Sequence, residues 1–229
     1  MKRFKLTALV GAVSIFLASL ATPLMAGNLG IGITGAGTFL KTSGTETLKQ
    51  SKLKSIEETQ YDEGMMPSGF LQYTFGEDGF VIGVEWAPGD VSLGSKTTQR
   101  TQLSSAVQAT TTVEQYVQAN VTDAYSAYIE TPGFTPLGIF AKVGAMNVRI
   151  ETNETLGTGA AYSDVTDVVG GIFGLGFKGS YGSGVMFKLD AQYVDFEDIS
   201  ISSTGSDAST TIDAETAMKQ IRLSVGYNF

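Results

Sequence analysis

Apolar residues recur at every second position through most of this chain. Leu29, Ile31, Ile33 and Phe39 share one face of a segment, and Gly30, Gly32, Thr34, Ala36 and Thr38 share the other. A period of two is the mark of a strand with one apolar face. The same alternation predicts strands over residues 67–75, 80–86, 121–131, 137–150, 169–178, 185–194 and 221–229. The apolar faces carry Leu71, Tyr73 and Phe75, then Phe80, Ile82, Val84 and Trp86, then Tyr125, Ala127 and Ile129. They continue with Ile139, Ala141, Val143 and Ala145, with Val169, Phe173, Leu175 and Phe177, and with Val185, Phe187, Leu189, Ala191 and Tyr193. The last strand adds Ile221, Leu223, Val225, Tyr227 and Phe229.

The connections fall into two kinds. Gly76-Glu77-Asp78-Gly79, Pro132 to Pro136 and Gly179 to Gly184 are short and rich in turn residues. Lys41 to Met66, Pro88 to Gln118, Glu151 to Thr166 and Asp195 to Lys219 are long and polar. The first of these long stretches reads as a solvated loop with room for a helical turn. The second, with strand-forming residues in its far half, reads as a hairpin that continues past the apolar band. The expected architecture is all-β: an eight-stranded antiparallel up-and-down transmembrane β-barrel, or ten strands if a long loop holds another hairpin. Closure satisfies every backbone group in lipid.

The start of the chain points the same way. Lys2, Arg3 and Lys5 precede a mostly apolar run from Leu6 to Ala21, followed by Leu24-Met25-Ala26. This is the layout of a secretory signal peptide over residues 1–26, with cleavage after Ala26, or alternatively after Ala21. The run is short for a spanning helix. Removing 26 of the 229 residues leaves 203 for a single barrel over 27–229, and no cysteine is available to brace it. Losing three of 15 basic residues and none of the 23 acidic ones moves the formal charge from −8 to −11. That balance argues against a nucleic-acid partner. The chain has no histidine, so no side chain titrates near neutrality in its unperturbed state. This speaks against an enzyme. Gly30, Gly32 and Gly35 match a nucleotide-binding spacing, but they lie inside a strand and not between a strand and a helix.

The segments FVIGVEW (Phe80 to Trp86), AKVGAMNVR (Ala141 to Arg149), FKLDAQY (Phe187 to Tyr193) and the closing RLSVGYNF, in this order and spacing, resemble the OmpA/OmpX/Ail-like outer-membrane barrels. The resemblance covers essentially all of residues 27–229. It implies a Gram-negative outer-membrane location and a barrel with both ends in the periplasm. It also implies that Tyr227 and Phe229 serve as a barrel-assembly signal read by the assembly machinery. In OmpA-type barrels a salt-bridged cluster plugs the interior. By that resemblance Lys188 falls on an interior basic position, Asp190 on an acidic one, Glu85 on an inward acid and Lys142 on an inward base. Lys178 stands where the family can carry an acid. Tyr128 replaces an interior lysine and Val81 a gating glutamate. No peptidoglycan-binding domain is expected after the barrel.

Strand parity turns Glu85, Glu130, Lys142, Lys178, Lys188, Asp190 and Arg222 inward, an interior of three acids and four bases. Eight strands leave an interior that side chains can fill, and buried charges there need partners. The leading expectation is a non-enzymatic barrel with a charge-plugged lumen. Its long surface loops would be structural, or adhesive and ligand-binding. The alternative is a small porin or passive channel for ions and small solutes. Expected partners are outer-membrane lipid, lipopolysaccharide and an extracellular ligand of the loops. No cofactor or metal is expected; Asp195, Glu197 and Asp198 match no established calcium loop, and the sequons at Asn120 and Asn153 carry little weight in a bacterial protein.

Overall fold

The computed structural model describes residues 27–48, 56–76, 78–103, 110–134, 136–155, 165–182, 184–202 and 210–229. The expected signal peptide lies outside them, as do the tips of the four long connections. The strands are β1 (Gly27–Leu48), β2 (Ile56–Phe75), β3 (Val81–Leu103), β4 (Thr110–Glu130), β5 (Ile139–Thr155), β6 (Val165–Tyr181), β7 (Val185–Phe196), β8 (Ile199–Ser202) and β9 (Thr210–Asn228). β1 to β7 pair antiparallel in chain order, and β7 and β8 both pair antiparallel with β9. The short β8 continues β7 along β9 after a break at Glu197 and Asp198, so the wall has eight staves. β1 closes the wall against β9 from Gly30↔Asn228 to Leu48↔Thr210.

One row of partners, followed round the wall, measures the stagger. It runs Gly64, Thr38, Gln220, Gln192, Gly174, Lys142, Glu130, Val81 and back to β2 at Thr74, from position 64 to position 74. Eight strands with that stagger tilt by about 40° and enclose a backbone radius of about 8 Å. Such a tube is filled by side chains.

Three connections are tight. In the β6–β7 hairpin the ladder reaches Tyr181↔Val185, so the turn is residues 182–184, shorter than the 179–184 read from sequence. Gly182 and Gly184 take φ of +62° and +117°, a region glycine enters without strain. The stretch from Lys41 to Met66 corrects the loop expectation. Its first part continues β1 and its last part opens β2, paired from Glu46↔Ile56 down to Leu40↔Asp62 and beyond. The alternation was hidden because above the apolar band both strand faces meet water. Hydroxyl pairs such as Ser43–Thr59 at 3.1 Å then replace apolar contacts. For the same reason β5 runs on to Thr155 and β9 starts at Thr210, inside two further stretches read as loops.

The outer face carries apolar side chains from every strand. Ile33 is 72% exposed, Leu175 65% and Ile221 60%, with Leu71, Val84, Tyr125, Val143, Phe173 and Leu189 beside them. No water-soluble surface sustains an apolar belt of that extent. On β7 it runs from Val185 to Tyr193 and ends at Asp195. That is about 20 Å of height at this tilt, close to the band of a barrel in lipid. Tyr73 and Phe75 meet edge-on at the turn end, with Tyr227 and Phe229 in the same arrangement. Trp86 stacks on Tyr125 nearer the other rim, and its indole N–H donates to Asp123 at 3.4 Å.

Candidate functional site: a two-layer lumen

β2, β3, β5, β6, β7 and β9 deliver their inward residues in the same vertical order, while β1 alternates Thr34, Ala36, Thr38 and Leu40. Read from the turn end, β5 presents Phe140, Lys142 and Gly144, then Met146 and Val148. β7 presents Met186, Lys188, Asp190 and Gln192, then Val194 and Phe196. β9 runs the opposite way, from Met218 to Gln220, Arg222 and Ser224. β3 passes from Glu85 to Ala87, β2 from Met66 to Ser68 and β6 from Ile172 to Lys178. Polarity therefore changes at one level round the tube, with a charged layer toward the turns and an apolar layer toward the long hairpins.

The seven inward charges lie in the lower layer as two clusters. Nearest the turns, the Lys188 ammonium donates to both carboxylate oxygens of Glu130 at 2.8 Å and to Gln72 Oε1 at 2.5 Å. Lys178 lies 3.9 Å from the same carboxylate and donates to the Thr131 carbonyl at 2.8 Å. Above, Arg222 Nη2 donates to Glu85 Oε2 at 2.5 Å and Nη1 to Gln192 Oε1 at 2.9 Å. Ser68 also donates to Glu85, and Lys142 stands 4.0 Å from it. Asp190 Oδ2 lies 3.5 Å from Arg222 Nε, close enough to attract but outside hydrogen-bonding geometry. Tyr128 sits between the clusters, with the Lys142 ammonium 4.0 Å and the Lys188 ammonium 5.7 Å from its ring centre. A cation over a buried ring gains from the ring's negative face.

Glycines make room for these groups. Tyr128 lies opposite Gly83 on one side and Gly144 on the other. A Cβ at Gly83 would collide with the Tyr128 ring, and one at Gly176 would come within 2.5 Å of the Asp190 Cβ. Gly32, one of the three residues of the nucleotide-like spacing, similarly leaves space for the Phe70 ring.

The upper layer carries no charge. It packs Ala36, Leu40, Met66, Ala87, Val121, Ala124, Met146, Val148, Val168, Ile172, Val194, Phe196 and Met218 into one cluster, with Ile150 and Ile199 against it. Its signal was present: at Val168-Val169 and Ile172-Phe173 both strand faces are apolar. A chain from Gln192 to Gln220 at 2.6 Å and from Gln220 to Thr38 at 2.9 Å carries the polar layer up to its underside. At the turn end a pocket of about 270 Å³, lined by Gln72, Asp78, Lys178, Met186, Lys188 and Asn228, leads in as far as Lys188.

Tyr227 and Phe229 stand on the outer face at the turn end, away from the lumen, and Phe229 N–H donates to the Leu29 carbonyl at 2.8 Å. Asp195 accepts from the Tyr193 hydroxyl at 3.3 Å. Among the described residues no grouping of carboxylates suits a metal ion.

No protein-family model and no curated protein matches the sequence. Solved structures do match. The outer membrane protein OprG from Pseudomonas aeruginosa is 15% identical, with a TM-score of 0.52 over 90% of this chain and 97% of that one. Neisserial surface protein A is 9% identical, with a TM-score of 0.43 over 89% of this chain and 99% of that one. The likeness to OprG, with the strand order and closure above, shows the fold: this chain has the eight-stranded antiparallel outer-membrane barrel fold that its resemblance to OmpA/OmpX/Ail-like proteins implied.

Proposed function

We propose that this chain is a non-enzymatic outer-membrane protein of a Gram-negative cell, sealed through its lumen, whose long hairpins act at the cell surface in adhesion or ligand binding. The observation that carries the sealed lumen is the change of polarity at one level. An ion entering from the turn end meets the paired Lys188 and Glu130. Beyond the charges it meets a packed apolar layer that gives it nothing to exchange for its hydration shell. The apolar belt supports a place in lipid among lipopolysaccharide. Tyr227 and Phe229 fit the assembly signal expected by resemblance. Without histidine, the interior carboxylates and amines are paired with one another and offer no poised general base. The barrel thus provides a rigid stem, and recognition falls to the hairpins.

The second reading, a passive channel, draws on the 270 Å³ pocket that already opens one end of the tube. Solute-driven swelling of vesicles containing the refolded protein separates the two. Swelling in small sugars and amino acids no faster than protein-free vesicles supports the sealed stem. Uptake that rises with protein content makes the chain a channel.

A further inference from the structure

Among the described residues the lumen carries one more cation than anion, and the surplus lies near the turns. In the cluster farther from the turns Arg222 and Lys142 face Glu85 and Asp190, two against two. In the nearer one Lys178 and Lys188 share the single carboxylate of Glu130. The two lysines occupy one rung of the β6–β7 ladder, Lys178↔Lys188. Like charges set opposite each other on a rung repel. Lys188 takes both oxygens of Glu130 at 2.8 Å, and Lys178 is left at 3.9 Å, beyond hydrogen-bonding distance. Its short bond goes to a neutral acceptor, the Thr131 carbonyl at 2.8 Å. An ammonium carries three N–H donors. Lys178 therefore has both donors and charge to spare.

That ammonium stands where a guest can reach it. The Lys178 side chain is 18% exposed, the most of the four inward cations. It lines the pocket of about 270 Å³ at the turn end. A water molecule takes about 30 Å³ in the liquid, so the space admits a guest of about nine non-hydrogen atoms. Ser180 and Asn228 add a hydroxyl and an amide to the wall, and Val81, Pro136 and Met186 add apolar groups. Asp78, on the turn after β2, is the one acid among the described lining residues. It is exposed and forms no ion pair with Lys178. A carboxylate screened by water does little to balance a cation set inside the wall. Asp78 is instead a weak competitor for an anion arriving at the mouth.

We propose that this pocket is a binding site for a small oxyanion, a carboxylate or a phosphate entering from the turn end, whose charged oxygens accept hydrogen bonds from Lys178. The anion completes the pairing that Glu130 alone does not give to two lysines. Hydrogen bonds between an ammonium and an oxyanion belong to the stronger, charge-assisted class. The site lies at the end of the barrel opposite the long hairpins and stands independently of their role at the cell surface.

The test titrates the refolded chain in detergent micelles with sodium acetate and, separately, with sodium phosphate, each against sodium chloride at equal ionic strength. Amide shifts in nuclear magnetic resonance spectra report where the anion sits. Saturable shifts should cluster at Gly133, Gly138, Lys178 and Ser180. Lys178→Gln should weaken binding at least tenfold while keeping the heat-shifted gel mobility of a folded barrel. Lys178→Arg, which keeps the charge, should bind within threefold of the parent. Asp78→Asn, which touches no buried charge, keeps the test open if Lys178→Gln does not fold: it should tighten binding at least twofold. Lys219→Gln, at an exposed lysine of the outer face, should leave binding unchanged. Tighter binding of acetate assigns the site to carboxylates and tighter binding of phosphate to phosphates; both outcomes support it. Shifts that never saturate, shifts spread over exposed lysines, binding unchanged in folded Lys178→Gln, or binding weakened in Asp78→Asn would each overturn the proposal.

Discussion

Lys188 on β7 holds both carboxylate oxygens of Glu130 on β4 at 2.8 Å, although β5 and β6 stand between them in the wall. The pair is a tie across the tube, and its partners are 5% and 1% exposed. Removing Lys188 leaves the buried Glu130 with only the more distant Lys178, at 3.9 Å, and breaking a buried pair in this way costs about 3–5 kcal/mol at most. Lys188→Met should therefore lower the urea midpoint of the refolded barrel by an amount matching that loss. Lys188→Met with Glu130→Gln should recover most of it, since the second change removes the stranded charge. An unchanged midpoint in the single variant would mean that the pair is not buried as described.

Two glycines flank Tyr128, and they should behave differently. At Gly83 the obstacle to a new methyl group is the Tyr128 ring itself. At Gly144 it is backbone: the Ala127 carbonyl and, at 2.9 Å, the Tyr128 Cα. Both Gly83→Ala and Gly144→Ala should destabilise by about 1–3 kcal/mol. Adding Tyr128→Ser should rescue the Gly83 variant and leave the Gly144 variant impaired. Denaturant titration of the four proteins reads this directly, and equal rescue of both would contradict the packing.

Ile172 is 1% exposed in the middle of the apolar layer. Ile172→Ala leaves a cavity there and should cost about 2–5 kcal/mol. Leu175, three residues further along the same strand, points outward and is 65% exposed. In detergent or lipid, Leu175→Ala should cost much less, because acyl chains fill the gap. Comparable losses at the two sites would argue against a packed interior.

The period of two along β7 was enough to turn Lys188 and Asp190 inward, because Val185 to Tyr193 alternates without interruption. Sequence parity also placed Glu85 and Arg222 on the inner face. It could not say that Arg222 would reach Glu85 while Lys188 reached Glu130, because partners across the tube depend on the stagger. That quantity is set by eight registers together. The long hairpins were the other shortfall. In stretches such as 41–48, strand pairing persists with Lys, Thr, Ser and Glu on both faces, so hydrophobic periodicity falls silent while the backbone ladder continues. The end of the β2–β3 ladder at Gly69↔Trp86 was legible only after the register was known.

Single-channel recording of the refolded protein in a planar bilayer shows whether the lumen is closed. The bilayer should stay silent once insertion is shown by the heat-dependent gel shift. Ile172→Ser with Val194→Ser, which admits water to the apolar layer, should bring the first openings. Steady, salt-dependent openings of the parent chain that change when Lys188 or Glu85 is neutralised would contradict a closed lumen and make the charged layer part of a conducting path.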